Sequence, residues 1–357
     1  MKKIFFPFLA ILFLQLSGQA QSCFPNGLVF FTQQEINQFK ILNPTCKVIE
    51  GDVSIYPGDI TNLNGLSNIT DIKGFLGIDD CDNLTNLNGL ANLKTVGNLY
   101  ISGNDALISL GGLLNLNTVN GLFFVQDNAL ITNFNGLTKL KTIGGDFWVH
   151  SSPALTSLTG LSGLTSIGGE IWLNFNPVLA NLNALSNLQS LGGGINIWYQ
   201  GALTNLTGLG NITTAPDSIE IYANASLTSL DGLPAATAVG GEVLIAHNPY
   251  LANVTGLNSL ATVGKDLSVF NNGSLASLSG LANLQSVGGN LIIEQNAALS
   301  AITGLTQLST IGGSLHLNNN YALTNIAALD HLAAIGGDLA LYANFQLPSL
   351  HGLEGLT

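Results

Sequence analysis

What this sequence has least of is charge. Only 8% of its 357 residues are Asp, Glu, Lys or Arg, where a globular chain usually carries about a quarter. The charge that is present is lopsided, with 9 basic residues against 21 acidic ones and a net charge of −12. The lack of basic patches argues against nucleic acid and anionic membrane surfaces as partners. The acidic residues are scattered rather than gathered in a tail, which reads as solubility. Hydrophobic residues make up 46% of the chain, and that excludes disorder, which goes with few apolar residues. Proline is scarce at 10 while glycine reaches 42.

Long apolar runs are lacking too. Ile4 to Leu16 is the one such run, at 13 residues, and a bilayer span takes about 20. With Lys2 and Lys3 before it and Gly18-Gln19-Ala20 after it, the stretch 1–20 reads as a secretory signal peptide cut before Gln21. Without those two lysines the balance is 7 basic against 21 acidic, or −14. The expectation is an exported protein, secreted or at the cell surface, with no helical membrane anchor. Of the three cysteines, Cys23 and Cys46 flank a small leading segment and are the expected disulfide in an exported chain. A lipid anchor on Cys23 is the alternative, although Ala20-Gln21-Ser22 fits a lipobox poorly.

Against these shortages stands a repeat. Leu275, Leu278, Leu281, Leu284 and Val287 are spaced by three; Gly288-Gly289 follows, then Leu291 and Ile293 spaced by two, then Asn296. Equivalent starts are Ile60, Leu84, Leu107, Leu130, Leu155, Leu179, Leu203, Leu227, Leu251, Leu275, Leu299, Leu323 and Leu347. Their gaps are 24, 23, 23 and 25, then 24 throughout. Such a register marks stacked supersecondary units. The pair spaced by two is strand alternation. The run of threes is no α-helix, whose apolar face alternates threes and fours; it suits extended or 3₁₀-like turns. Paired glycines before the strand supply either positive φ or close backbone approach at a corner. A single coil cannot bury its own apolar face, so stability must come from stacking.

Asn104, Asn176, Asn224, Asn248, Asn272, Asn296, Asn320 and Asn344 each lie three residues before a coil start. An inward amide there can bond backbone groups of adjacent coils, giving an asparagine ladder. Asp127, Ser152 and Gln200 stand in for it, and Cys81 takes the same slot as a buried structural thiol.

The motif Leu-x-x-Leu-x-Gly-Leu-x-x-Leu-x-x-Val-Gly-Gly-x-Leu-x-Ile-x-x-Asn resembles the receptor L-domain type of leucine-rich repeat, over about residues 46–357. The resemblance implies a mainly β, right-handed leucine-rich solenoid, L-domain or β-helix-like, of about 12 stacked 24-residue coils with parallel sheets. It also implies a ligand-binding role, since that family includes ligand-binding domains of insulin-type and epidermal-growth-factor-type receptors. Those domains have few coils; long regular arrays are similar to secreted or surface proteins of Bacteroidota-like bacteria. Ligand-contacting residues are not part of the repeat motif, so none carries over.

The expected organisation is a signal peptide at 1–20, a cap at 21–59 and a solenoid at 60–357. In the cap, Thr32-Gln33-Gln34-Glu35 is a capping box that opens a short helix with Ile36 and Phe39 inward. At the other end Thr357 stops a coil halfway, which reads as a truncated end.

Chemistry is hard to find. His150, His247, His316, His331 and His351 sit in different coils and columns. No zinc spacing, nucleophile elbow or phosphate loop appears. Asp79, Asp80 and Asp82 lack the calcium-loop spacing and read as a solvated turn. Glu220 and Glu294 face outward about three coils apart, too far to cooperate. No metal, cofactor or catalytic residue is expected.

The outward strand positions say more. One column begins Tyr100, Phe123, Trp148, Trp172, Asn196, Glu220; a second begins Ser102, Val125, His150, Asn174, Trp198, Tyr222; Phe175 and Tyr199 follow one residue further on. At about 4.8 Å per strand, Tyr100 to Tyr222 would form a patch about 25 Å long. The candidate site is therefore Tyr100, Phe123, Trp148, His150, Trp172, Phe175, Trp198, Tyr199 and Tyr222, since exposed apolar patches mark interaction surfaces. Its expected ligand is protein or glycan, bound by a monomer without catalysis. The alternatives are rings that merely stack for stability, a structural spacer or adhesin stalk, and, remotely, a carbohydrate-active enzyme.

Overall fold

Leucine after leucine turns inward in the computed structural model, which describes residues 22–356. The stretch 1–20, expected from the sequence to be a signal peptide, lies outside the described residues. The coils stack so that equivalent strands pair in parallel, as in Phe147–His150 with Ile171–Asn174 and Ile171–Asn174 with Ile195–Trp198. Twenty strands form one such sheet. Five two-residue strands, Ala238–Val239 to Ala334–Ile335, form a second. The fold is a mainly β stacked-coil solenoid. One hydrophobic core runs through it from Phe30 to Leu332.

The run of threes is built from 3₁₀ turns in eight coils, from Asn64–Leu66 to Ala327–Leu329. Elsewhere the glycine of Leu-x-Gly-Leu bends the chain instead, with φ near +115° at Gly136 and Gly160. The corner glycine pairs serve close approach rather than positive φ. A Cβ on Gly168 would lie 2.1 Å from the Gly144 carbonyl oxygen, and one on Gly192 would lie 2.0 Å from that of Gly168. Stacking at strand spacing leaves no room for a side chain there.

The structure corrects the register of two coils. The fourth coil starts at Ile131, fully buried, and not at Leu130, which is 49% exposed. The gaps are therefore 24, 23, 24 and 24, and the single short coil follows Leu84. Its missing residue lies at Gly97-Asn98, where the pairing of Asp71–Asp79 with Thr95–Ser102 shifts register between Ile72 and Phe75. Consequently Phe123 and Val125 point into the core, and Phe124 and Gln126 take the outward positions opposite Tyr100 and Ser102.

Each strand ends on a residue in the left-handed region, from Asp80 and Asp127 through Ser151 to Ala343. This kink turns the next side chain inward, and that side chain is the ladder residue. Asn248 shows the pattern: its Oδ1 accepts from the Asn224 backbone N–H at 3.0 Å, and its Nδ2 donates to the Ile221 carbonyl at 2.9 Å. Asn104, Asn176, Asn224, Asn272, Asn296 and Asn320 bond their preceding coils in the same two ways. Asn344 bonds likewise to Asn320 and Leu317. Asn128, not Asp127, fills the slot in the fourth coil. Gln200 leaves its Oε1 without a partner. Cys81 is buried in the same slot, its Sγ 3.4 Å from the Asp79 carbonyl oxygen. Burial, and then the Asp79, Asp80 and Asp82 carboxylates, push its thiol up to about 12.

At the first coil the helix Gln33–Leu42 lies over the core, with Ile36 and Phe39 buried and the Thr32/Glu35 capping box formed. Cys23 and Cys46 are disulfide-bonded. The leading segment is not a separate lid. Its strands Leu28–Phe30 and Val53–Ile55 pair with each other, and the latter with Asp71–Asp79, extending the solenoid's own sheet. No helix among the described residues is long and apolar enough to cross a membrane.

Candidate functional site

Parallel in-register pairing puts identical columns of neighbouring coils side by side, so an aromatic residue repeated in one column becomes a row of rings. Tyr100, Phe124, Trp148 and Trp172 form such a row, with centroids 5.3, 6.0 and 5.6 Å apart in succession. At the next coil the row changes column. Asn196 pairs with Trp172, but it is Trp198, two residues on, whose ring continues the row at 5.3 Å. Tyr222 follows at 5.7 Å, then His247 at 4.9 Å and Phe270 at 5.4 Å. Phe75 precedes Tyr100 edge-on at 5.4 Å. The row therefore crosses the sheet obliquely. Most neighbouring rings in it are tilted by about 50°, and the tryptophans are half-buried.

A second, shorter row flanks it. His150 meets Phe175 at 5.7 Å, and Phe175 and Tyr199 stack at 4.4 Å with planes 4° from parallel. Tyr199 joins the two rows through an edge contact with Tyr222 at 5.4 Å. Phe175 and Tyr199 are 46% and 39% exposed. With Ser151, Pro153 and Pro177 they line a groove of about 340 Å³.

Eight of the nine side chains singled out from the sequence lie on this face, and Phe123 does not. Phe75, Phe124 and His247 were missed, and Phe270, placed in the second outward column by its spacing, was left out of the candidate site. Phe124 is hidden in the run Leu122-Phe123-Phe124-Val125, where no polar residue marks the alternation. His247 sits in the left-handed column, outside the strand pattern.

The other flank is acidic. Just before the strand, Asp146 Oδ1 accepts from the Glu170 backbone N–H at 2.9 Å, and Asp266 and Asn290 accept in the same way from the following coils. Among the described residues this second polar ladder lapses after Glu170 and resumes at Asp266. Within that interval lies a groove of about 340 Å³ lined by Glu170, Asp217, Ser218, Glu242 and Lys265. Asn196 Nδ2 donates to Glu170 Oε2 at 3.1 Å. Burial and the neighbouring Glu242 and Glu170 raise Glu220 to about 7. Burial, and then Asp146, also raise Glu170. Glu220 thus has a carboxylate neighbour in the next coil, whereas Glu294 pairs away from it, with Asn318 and His316. Among the described residues no three His, Cys, Asp or Glu side chains converge as metal ligands do.

One further feature singles out these coils. Five buried side-chain polar atoms among the described residues have no hydrogen-bond partner: Trp148 Nε1, Asn174 Oδ1, Asn196 Oδ1, Trp198 Nε1 and Gln200 Oε1. All of them fall between residues 148 and 200.

The Receptor L domain family model matches residues 45–108. No curated protein matches the chain. Among solved structures, the crystal structure of a TLR13–ssRNA13 complex is similar at 16% identity and a TM-score of 0.32, covering 92% of this chain. The chain spans only 55% of that one.

Proposed function

We propose that the protein is a non-catalytic recognition module, secreted or displayed at the cell surface, that binds a protein or glycan through its aromatic face. The surface runs from Tyr100 through Phe124, Trp148, Trp172 and Trp198 to Tyr222, flanked by His150, Phe175 and Tyr199. A leader at 1–20 would export it, in keeping with the Cys23–Cys46 disulfide. The match to a receptor domain over residues 45–108 supports ligand recognition in general terms.

Ring contacts alone do not favour this reading, since aromatic residues stacked down a sheet also stabilise it. Exposure does favour it: Phe175 and Tyr199 are 46% and 39% exposed and, with Ser151, Pro153 and Pro177, line a groove beside the row. Both have φ of +53°, and the equivalent residue is left-handed in every coil from Asp80 to Ala343. Other coils fill this position with Asp80, Gly103, Asp127, Ser151, Ala223, His247, Asn271, Gln295, Asn319 or Ala343, so it is the stacked rings, and not the backbone, that set these two coils apart. Two successive coils use this position to hold half-exposed, stacked rings.

The test is to screen the purified chain on glycan and surface-protein arrays beside a Trp148/Trp172/Trp198→Ala variant. The expected result is a signal that the variant loses while it remains folded. Equal signals from both forms would sink the aromatic site.

A further inference from the structure

We infer that the ligand of the aromatic face is an extended, neutral, equatorially linked polysaccharide lying along the solenoid axis. The inference rests on the proposed binding role of that face, and it names the ligand class.

The first argument is the one-dimensional order of the site. From Tyr100 to Tyr222 there is one ring per coil, at intervals of 5.3 to 6.0 Å. A row with one ring per coil fits a ligand that is itself a linear repeat. Folded protein partners are held instead by a few anchors clustered near the centre of an interface. Equatorial linkages give a pyranose polymer an extended ribbon shape, with apolar C–H faces that can lie against successive rings.

The second argument is the chemistry of the flanks. Sugar hydroxyls both donate and accept, as do protein hydroxyls. Beside the row stand groups of both kinds: the Glu170 and Glu242 carboxylates as acceptors, and the Ser151 and Tyr199 hydroxyls as either. Glu220, held near 7, exchanges between acceptor and donor around neutrality.

The third argument is charge. The groove beside the row carries Glu170, Asp217 and Glu242 against the single cation Lys265. Acidic polysaccharides, nucleic acids and acidic peptides are repelled there. A neutral chain pays no such cost. A proline-rich peptide could also dock on aromatic rings, but it offers no hydroxyls to the carboxylate flank.

The test is calorimetric titration of the full chain with β-1,4-linked glucose, N-acetylglucosamine, mannose and xylose oligomers, each as disaccharide and hexasaccharide. Polygalacturonate serves as the anionic comparison and decaproline as the peptide one. The expected result is that at least one hexasaccharide binds about tenfold or more tightly than its disaccharide. Trp172→Ala should weaken it by about tenfold or more, Trp172→Phe should largely restore it, and His316→Ala should leave it unchanged. Polygalacturonate should not bind. Failure of all four oligomer families, or binding indifferent to length or to Trp172→Ala, overturns the inference. The two layers separate cleanly. A protein ligand, or decaproline, that requires Trp172 would overturn the polysaccharide and keep the site. If no array signal responds to Trp172→Ala, both fall.

Discussion

Phe175 and Tyr199, one coil apart, stack with centroids 4.4 Å apart and planes 4° from parallel, each on a left-handed backbone with φ +53°. The strain and the stack oppose each other. The left-handed conformation costs about 1–2 kcal/mol per non-glycine residue, and an aromatic pair returns about 0.5–1.5 kcal/mol. Phe175→Asn and Tyr199→Asn should therefore leave unfolding free energy within about 1 kcal/mol of the parent, because Asn accepts this conformation well. Ligand binding should fall sharply in both. Urea denaturation alongside a binding assay decides: a large loss of stability with binding intact would make the pair structural.

The inner ladder predicts a contrast in stability. Asn248 is fully buried and bonds to Asn224, Ile221 and Ala246. Removing its amide in Asn248→Ala strands buried backbone groups and should cost about 3 kcal/mol. Ser152→Asn should do the opposite, gaining about 1 kcal/mol by filling a slot that other coils fill with Asn. Equilibrium urea unfolding of both variants checks the signs.

How far this was readable beforehand depends on what each residue's neighbours allowed. The strict spacing of Leu275, Leu278, Leu281 and Leu284, and the recurring Asn, made the solenoid and its ladder legible, because period and inward polarity are local in sequence. Phe123 was misplaced because Leu122, Phe123, Phe124 and Val125 are all apolar, and in-or-out alternation has nothing to count from. Leu130 and Ile131 are ambiguous in the same way. The oblique path of the aromatic row was not legible, because the step from Trp172 to Trp198 depends on which rings meet across the stack. The acidic groove was missed because Glu170 and Glu242, far apart in sequence, line one groove only through stacking.

Glu220 predicts a pH dependence. Its carboxyl is raised from 4.5 to about 7 in the fold, so the folded state binds more protons than the unfolded state between those values. Stability from this group is then present at low pH and is lost as pH rises through about 7. Glu220→Gln should flatten the profile of thermal midpoint against pH between about 5 and 8 and raise it at the alkaline end. An unchanged slope would contradict the burial of Glu220 beside Glu242.

The cysteines should behave oppositely to each other. Cys81, buried and with its thiol pushed up to about 12, should resist iodoacetamide at pH 8 until the chain is unfolded. Reducing Cys23–Cys46, which closes a separation of 23 residues, should cost about 3 kcal/mol. Mass spectrometry of labelled protein and denaturation with and without reductant provide the readouts.

The most direct test of the central claim uses the protein's own chromophores. The three tryptophans, Trp148, Trp172 and Trp198, are the whole tryptophan content of the chain and stand consecutively in one row. Tryptophan emission therefore reports on this face alone. Titrating the unmodified chain with a ligand recovered from the arrays should shift or quench that emission, with a midpoint equal to the calorimetric Kd, and should protect the tryptophans from acrylamide. Saturable calorimetric binding with emission and acrylamide quenching unchanged would place the ligand elsewhere and contradict the aromatic face as the binding site.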